Sequence, residues 1–270
     1  MPELPEVETI ARGLRSALLG RRIAAIAHLR KSIYSGPASH IESAKVAAIE
    51  RAGKYLVLSL HTGKKNWQLM IHLGMTGQVL IVPACSERAR HTHAVFILDD
   101  TREIHFRDPR RFGRIALAAA PAQGFAPSLG IAPGAEPLEV TPDVFVALFR
   151  GRNAPIKSAL LNQSLLRGVG NIYADEALFR AAIHPRARNI SKPRLLRLRN
   201  EIRAVLNAAI AAGGSSISDY VDSGGNPGAF HFQHQVYART GEPCATCATP
   251  IRRIVLAGRS SHFCPRCQPR

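Results

Sequence analysis

Cys244-Ala245-Thr246-Cys247 and, after sixteen further residues, Cys264-Pro265-Arg266-Cys267 frame the C-terminal segment of this 270-residue chain. Two Cys-x2-Cys knuckles at that separation have the spacing of a four-thiolate zinc site, and chance cysteines in a core would have no reason to pair twice. Four protein ligands leave no open coordination position, so the metal expected is one structural Zn2+. Between the knuckles, Ile251–Leu256 and Ser261–Phe263 read as strands around Ala257-Gly258-Arg259. The segment is therefore a β-hairpin clamped by metal at its base, with an arginine at its tip. Cys85, apart from the four, reads as an ordinary thiol.

Upstream of the hairpin the periodicity is helical, over Pro142–Arg150, Pro155–Leu166, Asn171–Ala182 and Lys192–Ala212, ended by Gly213-Gly214. A stretch punctuated by Pro and Gly, from 121 to 137, separates these helices from an N-terminal half of another character. There, short apolar runs at Ile23–Leu29, Tyr55–Leu60, Trp67–Leu73, Gln78–Val82, Ala94–Leu98, Glu103–Phe106 and Arg114–Ala118 read as seven strands at close spacing. A single helix over 5–19, with Val7, Ile10, Leu14 and Leu18 on one face, precedes them. The expected class is α+β: an N-terminal helix and an antiparallel β-sandwich, then a helical domain ending in the zinc hairpin. The expected divisions are 1–135, 136–235 and 236–270.

Thirty-six Lys and Arg stand against 19 Asp and Glu, a formal charge of +17. Seven of the 36 are Lys, so 29 are Arg, whose planar fork of donors matches phosphate oxygens. Residues 151–270 hold 17 basic and 6 acidic side chains against 19 and 13 in residues 1–150, which makes the second part the stronger polyanion-facing candidate. No apolar run approaches the roughly 20 residues needed to span a bilayer, and the acidic start lacks the basic n-region of a secretory signal. A cytoplasmic, soluble protein with no membrane partner is expected.

That acidic start carries chemistry of its own. Removal of Met1 would leave Pro2 with a free secondary amine. An α-amino group titrates roughly two units below a lysine, so more of it is an unprotonated nucleophile at neutral pH, able to form an iminium with an anomeric carbon. Glu3 and Glu6 lie beside it as proton carriers, although glutamates in a first helical turn also suit the macrodipole.

The whole string Met1-Pro2-Glu3-Leu4-Pro5-Glu6-Val7-Glu8-Thr9 resembles the start of the bacterial formamidopyrimidine-DNA glycosylases, repair enzymes that excise oxidised purines. Four further blocks resemble the same family in the same order: Gly53-Lys54-Tyr55-Leu56, His72-Leu73-Gly74-Met75-Thr76-Gly77, Asp108-Pro109-Arg110-Arg111-Phe112-Gly113 and Gly168-Val169-Gly170-Asn171-Ile172-Tyr173. The zinc cysteines complete the series, so the resemblance runs end to end. It implies a helix–two-turn–helix element around Asn171, a structural zinc held by Cys244, Cys247, Cys264 and Cys267, and no organic cofactor. The implied partner is double-stranded DNA containing oxidised bases or abasic sites, handled by a monomer.

Carried over by position, the resemblance implies that Pro2 attacks C1′ of the damaged nucleotide, that Glu3 is the general acid/base and that Glu6 supports it. Lys54 and Arg259 would meet the backbone phosphates at the reacting nucleotide. His72, Asn171 and Tyr237 would be further phosphate contacts. Met75, Arg110 and Phe112 would fill the gap left by an everted base, because taking a base out of the stack costs a few kcal/mol that inserted side chains partly offset. The Gly- and Ser-rich stretch from 213 to 228 would cover that base, with Ser216 and Ser218 in contact with it. Phe230-His231-Phe232 and Asn162 depart from the family's usual wording. Two other readings share some of these features: a glycosylase of the endonuclease VIII branch acting on oxidised pyrimidines, from which Leu4 departs, and a non-enzymatic zinc-ribbon DNA-binding protein. The second explains the charge and the metal but not the N-terminal string.

Overall fold

The computed structural model describes residues Met1–Arg270. Their contacts divide the chain into two units. One comprises Met1–Ile131 with Gly213–Ala229, the other Ala132–Ala212 with Phe230–Arg270.

The first unit begins with α1 (Leu4–Leu18), whose apolar face, Val7, Ile10, Leu14 and Leu18, is fully buried. Nine strands follow: β1 (Ile23–Leu29), β2 (Tyr34–Ser35), β3 (Lys45–Ala52), β4 (Tyr55–Thr62), β5 (Lys65–His72), β6 (Gln78–Pro83), β7 (Thr92–Leu98), β8 (Arg102–Arg107) and β9 (Arg114–Ala119). They form a four-stranded sheet ordered β1-β7-β8-β6 and a five-stranded sheet ordered β2-β9-β5-β4-β3. The two sheets and α1 share one core, in which Phe96 and Phe106 meet Leu56, Leu58, Leu69, Ile71 and Ile115. At roughly 1.5–3 kcal/mol per fully buried large side chain, this core dominates the unit's stability.

Two strands escape a reading by periodicity. β3 carries Lys45, Glu50 and Arg51 among its apolar residues, and its burial alternates irregularly through a register shift between Val46 and Ala48. β2 is two residues long and pairs with β9 in parallel, the exception in an otherwise antiparallel sandwich. The Pro/Gly stretch also has structure. Gln68 accepts from Ala126 N–H and donates to Gly124 O, both at 2.8 Å, and Leu129 packs with Met70 and Ala116.

The second unit contains α2 (Pro142–Phe149), α3 (Ile156–Leu160), α4 (Asn171–Arg180), α5 (Lys192–Ala211) and the hairpin β10 (Arg252–Leu256) and β11 (Arg259–Phe263). The helix expected over Pro155–Leu166 stops at Leu160. Beyond it the Gln163 side chain donates to Leu161 O and Val169 O and accepts from Gly168 N–H, which stabilises a turn in place of further helix. Ala257 and Gly258, both at positive φ, make a two-residue hairpin turn, so Arg259 opens β11 opposite Leu256.

Candidate functional site

Pro2 is buried, while Met1 ahead of it is 50% exposed. Glu3 is the N-cap of α1. Its carboxylate accepts the N–H of Glu6, and Glu6 Oε2 accepts the N–H of Glu3 at 2.7 Å, a reciprocal capping box. Both carboxylates are nearly sealed from solvent, at 3% and 2% exposure. Glu6 reaches further: its Oε1 accepts Ser215 N–H at 2.8 Å, so the N-terminal turn and the start of the 213–229 segment meet on one carboxylate. Gly214 is at φ +86°, a left-handed conformation that disfavours a side chain, and a Cβ there would stand 3.0 Å from Glu6 Oε1, closer than ordinary contact. Tyr220 donates to Gly213 O at 3.0 Å and is driven above the ordinary phenol range, first by burial and then by Glu6, which keeps it a donor. Pro2, Glu3 and Glu6 are thus brought together. Ser216 faces inward, donating to Tyr220 O and accepting from Gly228 N–H, whereas Ser218 is exposed.

Lys54 lies in the two-residue turn between β3 and β4, not inside a strand, and is buried. The turn is tied to α1 through Glu8, which binds Arg12, Arg15 and Arg51 at 3.0–3.1 Å, while Arg51 also donates to Gly53 O. Although burial raises the Glu8 carboxyl, these three guanidinium groups hold it below its usual value. His72 stands close enough to Lys54 and Arg114 to feel both charges. Burial first, then those two cations, pull it down to about 4. It is neutral at physiological pH and accepts Gly74 N–H on Nδ1 at 3.3 Å, so the proton sits on Nε2. His72, Tyr55, Arg114, Phe112 and Tyr34 line one cleft of about 670 Å3. Tyr34 is pushed up to about 12 by burial, and its hydroxyl has no partner.

Met75 and Phe112 are exposed at 38% and 53%, each on a loop beside a glycine. The Arg110 guanidinium lies 4.8 Å from the centroid of the Phe112 ring, within cation–π range. The two loops touch through backbone: a Cβ on Gly74 would fall 2.5 Å from Phe112 C. Asp108, fully buried, organises the second loop by accepting Gly113 N–H at 2.7 Å and Arg110 N–H at 3.3 Å.

In the second unit Asn171 begins α4 directly after Gly170, and its Oδ1 is buried without a partner. Arg167, at the head of the same turn, is held by Glu136 at 2.8 Å. Glu176, fully buried one turn further along α4, accepts the N–H groups of Gln235, Val236 and Tyr237 at 2.9–3.0 Å. Arg259 is exposed at the start of β11. The four cysteine sulfurs lie within 4.8 Å of one another, with Cys247–Cys264, Cys247–Cys267 and Cys244–Cys267 at 3.4, 3.5 and 3.9 Å. A tetrahedron with metal–sulfur bonds of about 2.3 Å has edges of about 3.8 Å, so the donor set fits Zn2+.

Family models match along the chain: Formamidopyrimidine-DNA glycosylase N-terminal domain over residues 1–115, Formamidopyrimidine-DNA glycosylase H2TH domain over 129–221, and Zinc finger found in FPG and IleRS over 241–270. The formamidopyrimidine-DNA glycosylase of Solibacter usitatus is 48% identical over 277 residues, covering 100% of both chains. The chain belongs to the formamidopyrimidine-DNA glycosylase family. Another glycosylase of that name, from Symbiobacterium thermophilum, is 44% identical over all of this chain and 90% of its own. Among solved structures, the MutM (FPG) protein of Thermus thermophilus superposes with a TM-score of 0.85 at 39% identity, covering 99% of this chain and 98% of its own. A Lactococcus lactis FPG mutant in complex with Fapy-dG-containing DNA superposes with a TM-score of 0.90 at 33% identity over 100% of both.

Against the family's motifs, the structure adds residues that motif reading passes over. Arg51 and Arg114 reach the Lys54–His72 region from strands whose sequence pattern marks them only as charged positions. Ser215 joins Glu6 across 209 positions of sequence, a contact that local reading has no means to register.

Proposed function

We propose that this chain removes oxidised purines, 8-oxoguanine and formamidopyrimidines, from duplex DNA and then cuts the strand at the resulting abasic site. Base-excision repair glycosylase and AP-lyase activity come with the family, and the residues fit them. With Met1 removed, the Pro2 nitrogen attacks C1′ of the damaged nucleotide and the glycosidic bond breaks, its electrons leaving with the base, which takes up the proton that the nitrogen releases. Glu3 protonates the ring oxygen as the sugar opens, and the nitrogen lone pair completes a C1′ iminium. The positive charge acidifies C2′. Loss of that proton to a carboxylate and expulsion of the 3′ phosphate constitute β-elimination, and loss of a second proton, from C4′ in conjugation with the iminium, expels the 5′ phosphate. Water then hydrolyses the iminium and frees Pro2.

Glu6 is assigned the support of this turn. Lys54, His72, Asn171, Tyr237 and Arg259 are assigned phosphates. His72 does so as a neutral Nε2–H donor rather than a cation. Met75, Arg110 and Phe112 are assigned the gap in the duplex, Arg110 facing the orphaned base, and the 213–228 segment with Ser216 and Ser218 the everted base. Cys244, Cys247, Cys264 and Cys267 hold a structural zinc, which supplies a rigid base for the hairpin and no reactive position. The functional divisions are 1–135, 136–235 and 236–270. The protein acts as a monomer in the cytoplasm. No helix is long and apolar enough to cross a membrane.

The observation that carries the reading is the placement of Pro2 beside Glu3 and Glu6, two buried carboxylates that each accept the other residue's backbone N–H. Borohydride reduction in the presence of an abasic-site duplex should trap a covalent adduct, and mass spectrometry should place it on Pro2. An adduct on any other residue, or none from protein lacking Met1, would remove the reading. Faster excision of thymine glycol than of 8-oxoguanine opposite cytosine would instead favour the oxidised-pyrimidine branch.

A further inference from the structure

Lys157 and Asp175 form an ion pair at 2.6 Å with side-chain exposures of 1% and 0%. Such a pair adds little net stability over a well-packed apolar pair of the same size, so its presence asks for another account. Its bonds lead to the zinc hairpin. Lys157 Nζ donates to Ser260 O at 2.5 Å, one residue beyond Arg259. Asp175 Oδ2 accepts His262 N–H at 2.8 Å and its Nδ1–H at 3.1 Å. The His262 ring in turn meets the Tyr237 ring edge-on, with centroids 5.0 Å apart. Asp175 therefore grips β11, while its neighbour Glu176 grips the backbone of 235–237, and both sit one turn into the helix that Asn171 opens.

We propose that Lys157 and Asp175 are positioning residues: through Ser260 O and His262 they set where Arg259 and Tyr237 stand relative to Asn171, so that the three engage one run of phosphates together. The inference rests on the phosphate roles assigned above. A directional lock of one ion pair and three hydrogen bonds fixes a strand's translation along its axis. Apolar packing, indifferent to small slides, does not.

The test uses zinc-loaded full-length enzyme carrying Lys157→Met together with Asp175→Asn, which leaves no uncompensated charge, beside the single Lys157→Met. The paired variant should fold and hold one zinc per chain. Its KM for an abasic-site duplex should rise about tenfold while the single-turnover rate at saturating DNA changes less than about twofold. The slope of log affinity against log salt should shrink by about one, as for one lost phosphate contact. In a background already carrying Arg259→Ala and Tyr237→Ala the paired change should add almost nothing. An unchanged KM, a loss confined to the saturated rate, full additivity in that background, or failure of the paired variant to fold or bind zinc would each overturn the proposal. Wild-type KM and salt slope in Arg259→Ala alone would overturn the underlying phosphate reading as well, and so separates the two failures.

Discussion

The hydroxyl of Thr76 donates to Oδ1 of Asp108 across 2.5 Å. Thr76 follows Met75, and Asp108 heads the loop of Arg110 and Phe112, so one hydrogen bond to a buried carboxylate fixes the spacing of the three side chains assigned to the duplex gap. Thr76→Val keeps the shape and removes the donor. It should cost about 1–2 kcal/mol in urea denaturation and lower excision more than abasic-site cleavage. A variant as stable as the parent would show that the bond does not hold the loops.

Substitution of the exposed gap residues should separate stability from function. Phe112→Ala and Met75→Ala remove loop side chains that are largely exposed in the free protein compared with the core, so denaturation should move by no more than about 1 kcal/mol. Excision from duplex should nonetheless fall at least tenfold. A matching loss of stability would return both residues to a packing role.

Gly214→Ala forces a side chain into left-handed backbone and against the Glu6 carboxylate. The expected cost is about 1–3 kcal/mol, with a reduced yield of borohydride-trapped adduct. Ala at Gly225, also left-handed but with open space around its Cβ position, is the control that carries backbone strain alone. Equal trapping by the two variants would show that contact with Glu6 does not matter.

Each unit holds a histidine pulled down to about 4 mainly by burial, His72 in the first and His234 in the second. Unfolded, both titrate near 6.5, so between pH 6.5 and 4 the unfolded chain binds more protons than the folded one. Stability is therefore highest above that window, falls as pH drops through it and levels off below 4. After allowance for partial exposure, roughly 2 kcal/mol per histidine is expected from urea melts at pH 7 and 4. His72→Gln should remove one share of that slope. An unaltered slope would show that His72 is not the source.

Chelation of zinc, or Cys264→Ser, should leave the sandwich folded while the hairpin amides lose protection from hydrogen exchange and duplex affinity falls. Metal analysis of the parent should give one zinc per chain. Unchanged affinity after complete chelation would count against the hairpin as a DNA contact.

Motif and periodicity made much of this protein legible. α1, seven of the nine sandwich strands and the zinc hairpin follow from apolar spacing and cysteine pairing, because each depends on residues close together in the chain. β2 and β3 were not legible. The first is too short to have a period, and the second is interrupted by charges whose partners, such as Glu8 for Arg51, lie far away in sequence. The end of α3 was hidden for a related reason: the competing turn depends on the Gln163 side chain finding three backbone groups, which periodicity does not register.

By itself, the order of residues determined which chemical groups are present: a Pro2 nitrogen beside two carboxylates, an arginine surplus whose donors match phosphate, and four thiolates for one metal. Tertiary structure alone decided how those groups are held. Glu6 is shared between its own helix turn and Ser215, His72 is neutral because its ring is buried and Lys54 and Arg114 stand beside it, and Arg259 stands on a strand gripped by a buried ion pair. The division follows from range. Reactivity belongs to a side chain, whereas desolvation, hydrogen-bond partnership and field depend on whichever distant segments the fold packs against it.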